Sequence, residues 1–284
     1  MFASARRLAL LAAALGGLAA TVIAAPPLAP APRTAEKPPT SDLVTTQEGK
    51  LPVILSAPHG GTHDVPGVAP RKGDGLPVGG SGFFAGRDGN TEELAHAVSA
   101  AIAKKTGKKP YLVVAKFHRK YIDANRPPEI AYEDARAKPT YDAYRQALAA
   151  YCRAVKKEYG RGLLLDIHGQ GAMKDAVIRG TKDGKTVSLL TQRYGEKAHT
   201  GPNSFFGLLA GNGCKVFPER LAEKEYASLN GGNIVQTYGS GEYGIDAIQL
   251  EFGGEYREKA KLNDTADRVA ATVDQFAKLY LNDK

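Results

Sequence analysis

Short runs of apolar residues, rich in Val, Ile and Leu, alternate along this chain with longer stretches in which apolar positions recur every three or four residues. The first kind of pattern predicts strands at 53–56, 111–116, 163–167 and 247–251, with shorter ones at 176–179 and 187–189. The second predicts helices over 91–106, 140–159, 203–211 and 261–281. In the last of these, Ala266, Val269, Ala270, Val273, Phe276 and Leu279 form one apolar stripe, the mark of a packing element. The helix at Thr91 has a start signal: Asn90 stands at the cap and Glu93 three residues on, in capping-box spacing, while Asp88 lies just before in the loop. The order of elements predicts a single-domain α/β, three-layer fold with a mixed, mostly parallel sheet covered on both faces.

The N-terminus breaks this pattern. Arg6 and Arg7 precede an apolar stretch over 8–23 that ends in small residues, so 1–24 reads as a signal peptide cleaved near Ala24. The stretch is interrupted by Gly16 and Gly17 and is shorter than the ~20 residues a span needs, so no stable membrane span is expected after cleavage. Residues 25–42, rich in Pro and Ala, read as a solvated linker, which leaves 43–284 as the catalytic domain of a secreted or periplasmic protein. The net charge of +8 suits an acidic substrate. No basic stripe interleaved with aromatics occurs, which excludes a nucleic-acid partner. Cys152 and Cys214 leave one disulfide open as an option, and neither sits in an activating pattern for nucleophilic chemistry.

The chemistry concentrates at predicted strand ends. His59, in Ala57-Pro58-His59-Gly60-Gly61, and His168, in Asp166-Ile167-His168-Gly169, each follow an apolar run and precede a glycine. Open α/β sheets place their sites at such carboxyl ends. Two histidines and a carboxylate make a zinc set with a position left open for hydrolysis, so one Zn2+ per chain is expected. For the acidic ligand Asp88 is preferred, with Glu92 in reserve, because capping already occupies Glu93. Asn125 and Arg126 present an amide and a planar guanidinium suited to a substrate carboxylate, with Arg119 nearby and Asp123 placed to hold either arginine. Glu251 ends a buried strand, where a carboxylate is costly unless it is paired or working, and is the candidate general base. Arg179 is a further candidate, for the developing oxyanion, and Asn230-Gly231-Gly232-Asn233 reads as a tight loop near the site. No Walker, dinucleotide or G-x-S-x-G pattern occurs.

At these motifs, in order Ser56 to Gly61, Asp88 to Ala95, Arg119 with Asp123 to Arg126, Asp166 to Gly169 and Ile248 to Glu251, the chain resembles the N-formylglutamate amidohydrolase family, a distant relative of zinc carboxypeptidases and aspartoacylases. The resemblance implies a phosphorylase/hydrolase-like fold and metal-dependent attack of water on an amide. It implies His59, His168 and Asp88 as ligands, Asn125 and Arg126 as carboxylate-binding groups and Glu251 as acid/base. Zinc carboxypeptidases carry their acidic ligand three residues after the first histidine, where this chain has Thr62, so here the carboxylate has to arrive from farther along. Expected partners are a small molecule or peptide bearing a carboxylate. The competing expectations are a non-catalytic envelope protein that binds an acidic ligand on the same fold, and a metal-dependent sugar deacetylase, which has less need of an Asn-Arg clamp.

Overall fold

The computed structural model describes residues 41–282; the expected signal peptide (1–24) and nearly all of the linker (25–42) lie outside them. A seven-stranded sheet is formed by β1 (Val44–Gln47), β2 (Val53–Ala57), β3 (Tyr111–Ala115), β4 (Leu163–Gly169), β5 (Val177–Gly180), β6 (Val216–Phe217) and β7 (Asp246–Phe252). Its order is β1-β3-β2-β4-β7-β5-β6. The central four, β3-β2-β4-β7, are mutually parallel, whereas β1 and β5 pair antiparallel to β3 and β7. The helices are α1 (Thr91–Thr106), α2 (Pro128–Ala131), α3 (Lys138–Tyr159), α4 (Ser188–Tyr194), α5 (Lys197–Thr200), α6 (Phe205–Gly211), α7 (Asn233–Tyr238) and α8 (Leu262–Tyr280).

Both faces of the sheet are buried, and alternate strand residues divide between two cores. Val53, Leu55, Leu112, Val114, Leu163 and Leu165 pack with Leu94, Val98 and Ile102 of α1 and with Val269, Val273 and Phe276 of α8. Ile54, Tyr111, Val113 and Leu164 pack on the other side with Tyr144, Leu148 and Val155 of α3 and Val235 of α7. Two-sided burial is why these strands are apolar throughout rather than alternating. Cys152 belongs to the α3 core and Cys214 to the α1/α8 core, both as free thiols, so the optional disulfide is not formed.

Two local expectations fail, and three short elements are additions. Residues 187–189 are not a strand: a 3-10 turn over Lys185–Val187 runs into α4, so the apolar residues Val187 and Leu190 reach the core from helical backbone. Asn90 does not cap α1 with its side chain. It takes φ 63° and donates instead to the Arg257 carbonyl, at 2.7 Å, while Glu93 is exposed. β1, β6 and α7 are too short to show a period in sequence, and only their pairing and packing define them.

Candidate metal centre and substrate cavity

The connection from β2 leads through α1 to β3 on one side, and the chain leaving β4 reaches β5 on the other side, so adjacent strands β2 and β4 form a topological switch point. On the α3-facing side the strand ends turn from apolar to polar at every second residue: Ile54 then Ser56, Leu164 then Asp166 and His168, Ala247 then Gln249 and Glu251. Register brings these together, Ser56 opposite Asp166, Asp166 opposite Gln249, and His168 opposite Glu251. His59 lies two residues past β2, in a loop pressed against the first turn of α1. A Cβ at Gly60 would lie 2.2 Å from the Glu92 backbone nitrogen, so only glycine allows this approach.

The His59 Nδ1, His168 Nδ1 and Asp88 Oδ2 atoms form a triangle with sides of 3.2, 3.3 and 3.3 Å. All three residues are buried. Behind them, His59 Nε2 lies 2.7 Å from Asp123 Oδ1 and His168 Nε2 lies 2.8 Å from Asp166 Oδ2. An ionised carboxylate only accepts, so each Nε2 carries the proton and each Nδ1 of the neutral ring presents a lone pair. With both rings neutral, two lone pairs and a carboxylate oxygen face one another across little more than 3 Å, so the space between them suits a cation: a second proton on His168, whose pKa is raised, or a metal ion that takes its place. Ligand bonds of about 2.0–2.1 Å at tetrahedral angles give edges of about 3.3 Å, so the triangle fits one face of a zinc site, and the carboxylate–histidine pairs behind it are the support such ligands ordinarily have. Thus His59, Asp88 and His168 can hold a metal ion.

The supporting groups are themselves fixed. Ser56 Oγ donates to Asp166 Oδ1. Arg119 donates through Nε and Nη2 to Asp123 Oδ2, at 2.8 and 2.7 Å, and its Nη1 lies 3.8 Å from Asp88 Oδ1. Burial opposes ionisation of Asp123, yet the His59 and Arg119 charges outweigh it and hold this carboxyl well below the usual range. Asp88 is pushed up by burial and pulled further down by His59 and His168. His168 is disfavoured as a cation by burial, but the Asp166 carboxylate more than offsets this and raises the imidazole well above its ordinary value. Glu251 has no such compensation: burial pushes it up to about 7, against the pull of His168. The Gln249 amide donates to its Oε1 at 2.7 Å.

A cavity of about 870 Å³ opens over this centre, lined by His59, Asp88, His168, Glu251, Arg119, Asn125 and Arg126 among others. Asn125 Nδ2 lies 3.3 Å from His168 Nε2 and its Oδ1 accepts from the Ile234 nitrogen; a Cβ on Gly232 would lie 2.2 Å from that amide nitrogen. Arg126 donates to the carbonyls of Gly82, Asn125 and Gly80. Arg119 lines the cavity, with its Nε and Nη2 on Asp123. One expectation is corrected in placement. Arg179 is not in the cavity wall; its Nε donates to the buried Glu225 at 2.9 Å, a partner supplied by the 218–232 segment and invisible from β5 alone. The backing roles of Asp123 and Asp166 are additions; the available signal was the i, i+2 spacing of Asp166 and His168 on one strand face.

Fold and site together define an α/β protein with a buried His-Asp-His set, able to hold a cation, at the carboxyl edge of its parallel strands. Among solved structures, an N-formylglutamate amidohydrolase from Ralstonia eutropha superposes with a TM-score of 0.54 at 15% identity, covering 84% of this chain and 98% of that one. A gene product from Agrobacterium tumefaciens does so with a TM-score of 0.54 at 16% identity, covering 86% and 96%. The chain has the fold of these proteins. No family model matches the sequence, and no curated protein matches it.

Proposed function

We propose that the protein is an exported, zinc-dependent amidohydrolase that cleaves an amide bond in an N-formyl or other N-acyl amino acid, or in a peptide with a free carboxylate. The observation that carries this reading is the Nδ1, Nδ1, Oδ2 triangle, backed by Asp123 and Asp166 and standing beside the raised Glu251. His59, Asp88 and His168 would hold one ion per chain, leaving a position open. When bound, zinc supplies Lewis-acid polarisation of the carbonyl and activation of water near neutral pH. Glu251 takes the proton from the attacking water and delivers it to the leaving amine, a double duty suited to a carboxyl that burial raises above its ordinary range. Arg126 is a buried cation whose three donated bonds all go to neutral carbonyls, so two of its five N–H groups and its charge remain for a substrate carboxylate, with Asn125 beside it. Arg119 acts through Asp123 on His59. The fold shared with a protein named for N-formylglutamate hydrolysis supports the same reading.

Zinc analysis of the purified protein is expected to give about one ion per chain, falling to background in a His59→Ala, His168→Ala double variant. Hydrolysis of N-formyl, N-acetyl or peptidyl amino acids is expected to stop with chelator and return with zinc. Turnover that persists in metal-free protein would reject the mechanism; a zinc-loaded protein inert toward all three classes would leave the ligand-binding alternative.

A further inference from the structure

We infer that the cavity has a second, anion-recognising end built on Lys182, and that the acyl half of the substrate carries a carboxylate. The word acyl rests on the amidohydrolase reading; the anion site does not. A cavity of about 870 Å³ holds roughly thirty waters at ~30 Å³ each, far more than the ~12 heavy atoms of a formyl or acetyl amino acid displace. Of the cations in its wall, Arg119 is paired with Asp123 and Arg126 serves the proposed clamp. Lys182 Nζ makes one bond, 3.0 Å to Asn230 Oδ1, and among the described residues no carboxylate lies within ion-pair distance of it.

Lys182 is not loosely placed. It and Asp183 both take φ 53°, a left-handed conformation that is unfavourable for a non-glycine residue and persists only where the surroundings enforce it. Glu225, buried, enforces it by accepting from the Thr181 and Asp183 nitrogens and from Thr181 Oγ1, while the Lys182 nitrogen donates to the Asn230 carbonyl at 2.6 Å. The Arg179–Glu225 pair, unused by the chemistry, thereby becomes the anchor of this turn. Ile178 stands opposite Glu251, and the chain runs four residues on to Lys182, on the order of 10 Å from the catalytic end. Asn233, also in the wall, has a buried Oδ1 with no donor, an acceptor for a substrate N–H.

The test uses N-acylglutamates whose acyl chains end in a carboxylate (succinyl, glutaryl, adipyl), each against its methyl-ended counterpart, bound by calorimetry to zinc-loaded Glu251→Gln protein so that nothing turns over. Lys182→Met is expected to weaken the best-binding carboxylate-ended probe about tenfold and to leave its methyl-ended counterpart unchanged, with Lys182→Arg restoring the preference. In the otherwise native enzyme the same change raises KM and spares kcat. No preference for any carboxylate-ended probe in the Lys182 protein, or an equal loss for both kinds in Lys182→Met, overturns the inference. Lys182-dependent binding without hydrolysis by the native protein sinks only the amidohydrolase reading; hydrolysis without charge discrimination sinks only this one.

Discussion

Two imidazole nitrogens 3.2 Å apart in a buried site are held there by carboxylates from behind, and that arrangement sets what single substitutions do. Asp166→Asn keeps the shape but loses the charge that favours His168 Nε2–H, so zinc affinity is expected to fall about 10–100-fold in a competition titration. Glu251→Gln is expected to keep its zinc, and kcat falls by about 10²–10⁴. On the proposed mechanism the base works deprotonated, so kcat/KM is expected to rise with pH. A dication on the facing ligands would favour the carboxylate, which puts the acid limb at or below the value of about 7 to which burial pushes Glu251 in the metal-free site. A pH–rate profile with its acid limb well above 7 would argue against Glu251.

At the scale of elements, what the strands carry depends on which face each residue serves. The polar substitutions Ser56, Asp166, His168, Gln249 and Glu251 all fall on the α3-facing side, and the opposite side remains apolar to the strand ends. Asp246, at the start of β7, accepts from the Leu189 nitrogen at 3.1 Å and Ser240 Oγ at 3.2 Å, tying the α4 turn to the sheet. Burial raises it from 3.8 to about 6. Its folded pKa lies above its unfolded one, so its contribution is full below about 4 and is lost as pH rises through about 6. Asp246→Asn does not titrate, and urea unfolding is therefore expected to show the variant gaining roughly 1–3 kcal/mol on the wild type between about pH 4 and pH 7. A constant difference across that range would refute the shift. The cap at Asn90 is missed because its side-chain amide turns to a distant carbonyl, that of Arg257.

For the whole molecule, a metal held by His59, Asp88 and His168 would join the ends of β2 and β4 with the loop before α1, segments about 30 to 110 residues apart that the unfolded chain does not bring together. Zinc at about 100 times its Kd stabilises by ~2.7 kcal/mol, so adding it to chelated protein is expected to raise Tm by roughly 5–10 °C, and the His59→Ala, His168→Ala variant should show no rise. A Tm indifferent to zinc in the wild-type protein would count against the centre.

The alternation of apolar runs with helical periods determined the layers and most of the strands, because burial on two faces leaves a local imprint. Histidines followed by glycine at strand ends likewise marked the centre, since close packing there admits no Cβ. Partnership was decided only by tertiary structure. That Asp123 and Asp166 back the histidines, that Arg119 and Arg179 are claimed by Asp123 and Glu225, and that Lys182 faces the cavity all depend on strand order and on contacts between segments far apart in the chain. A short-range pattern records how a residue meets its own element. It holds no trace of which distant side chain arrives to meet it.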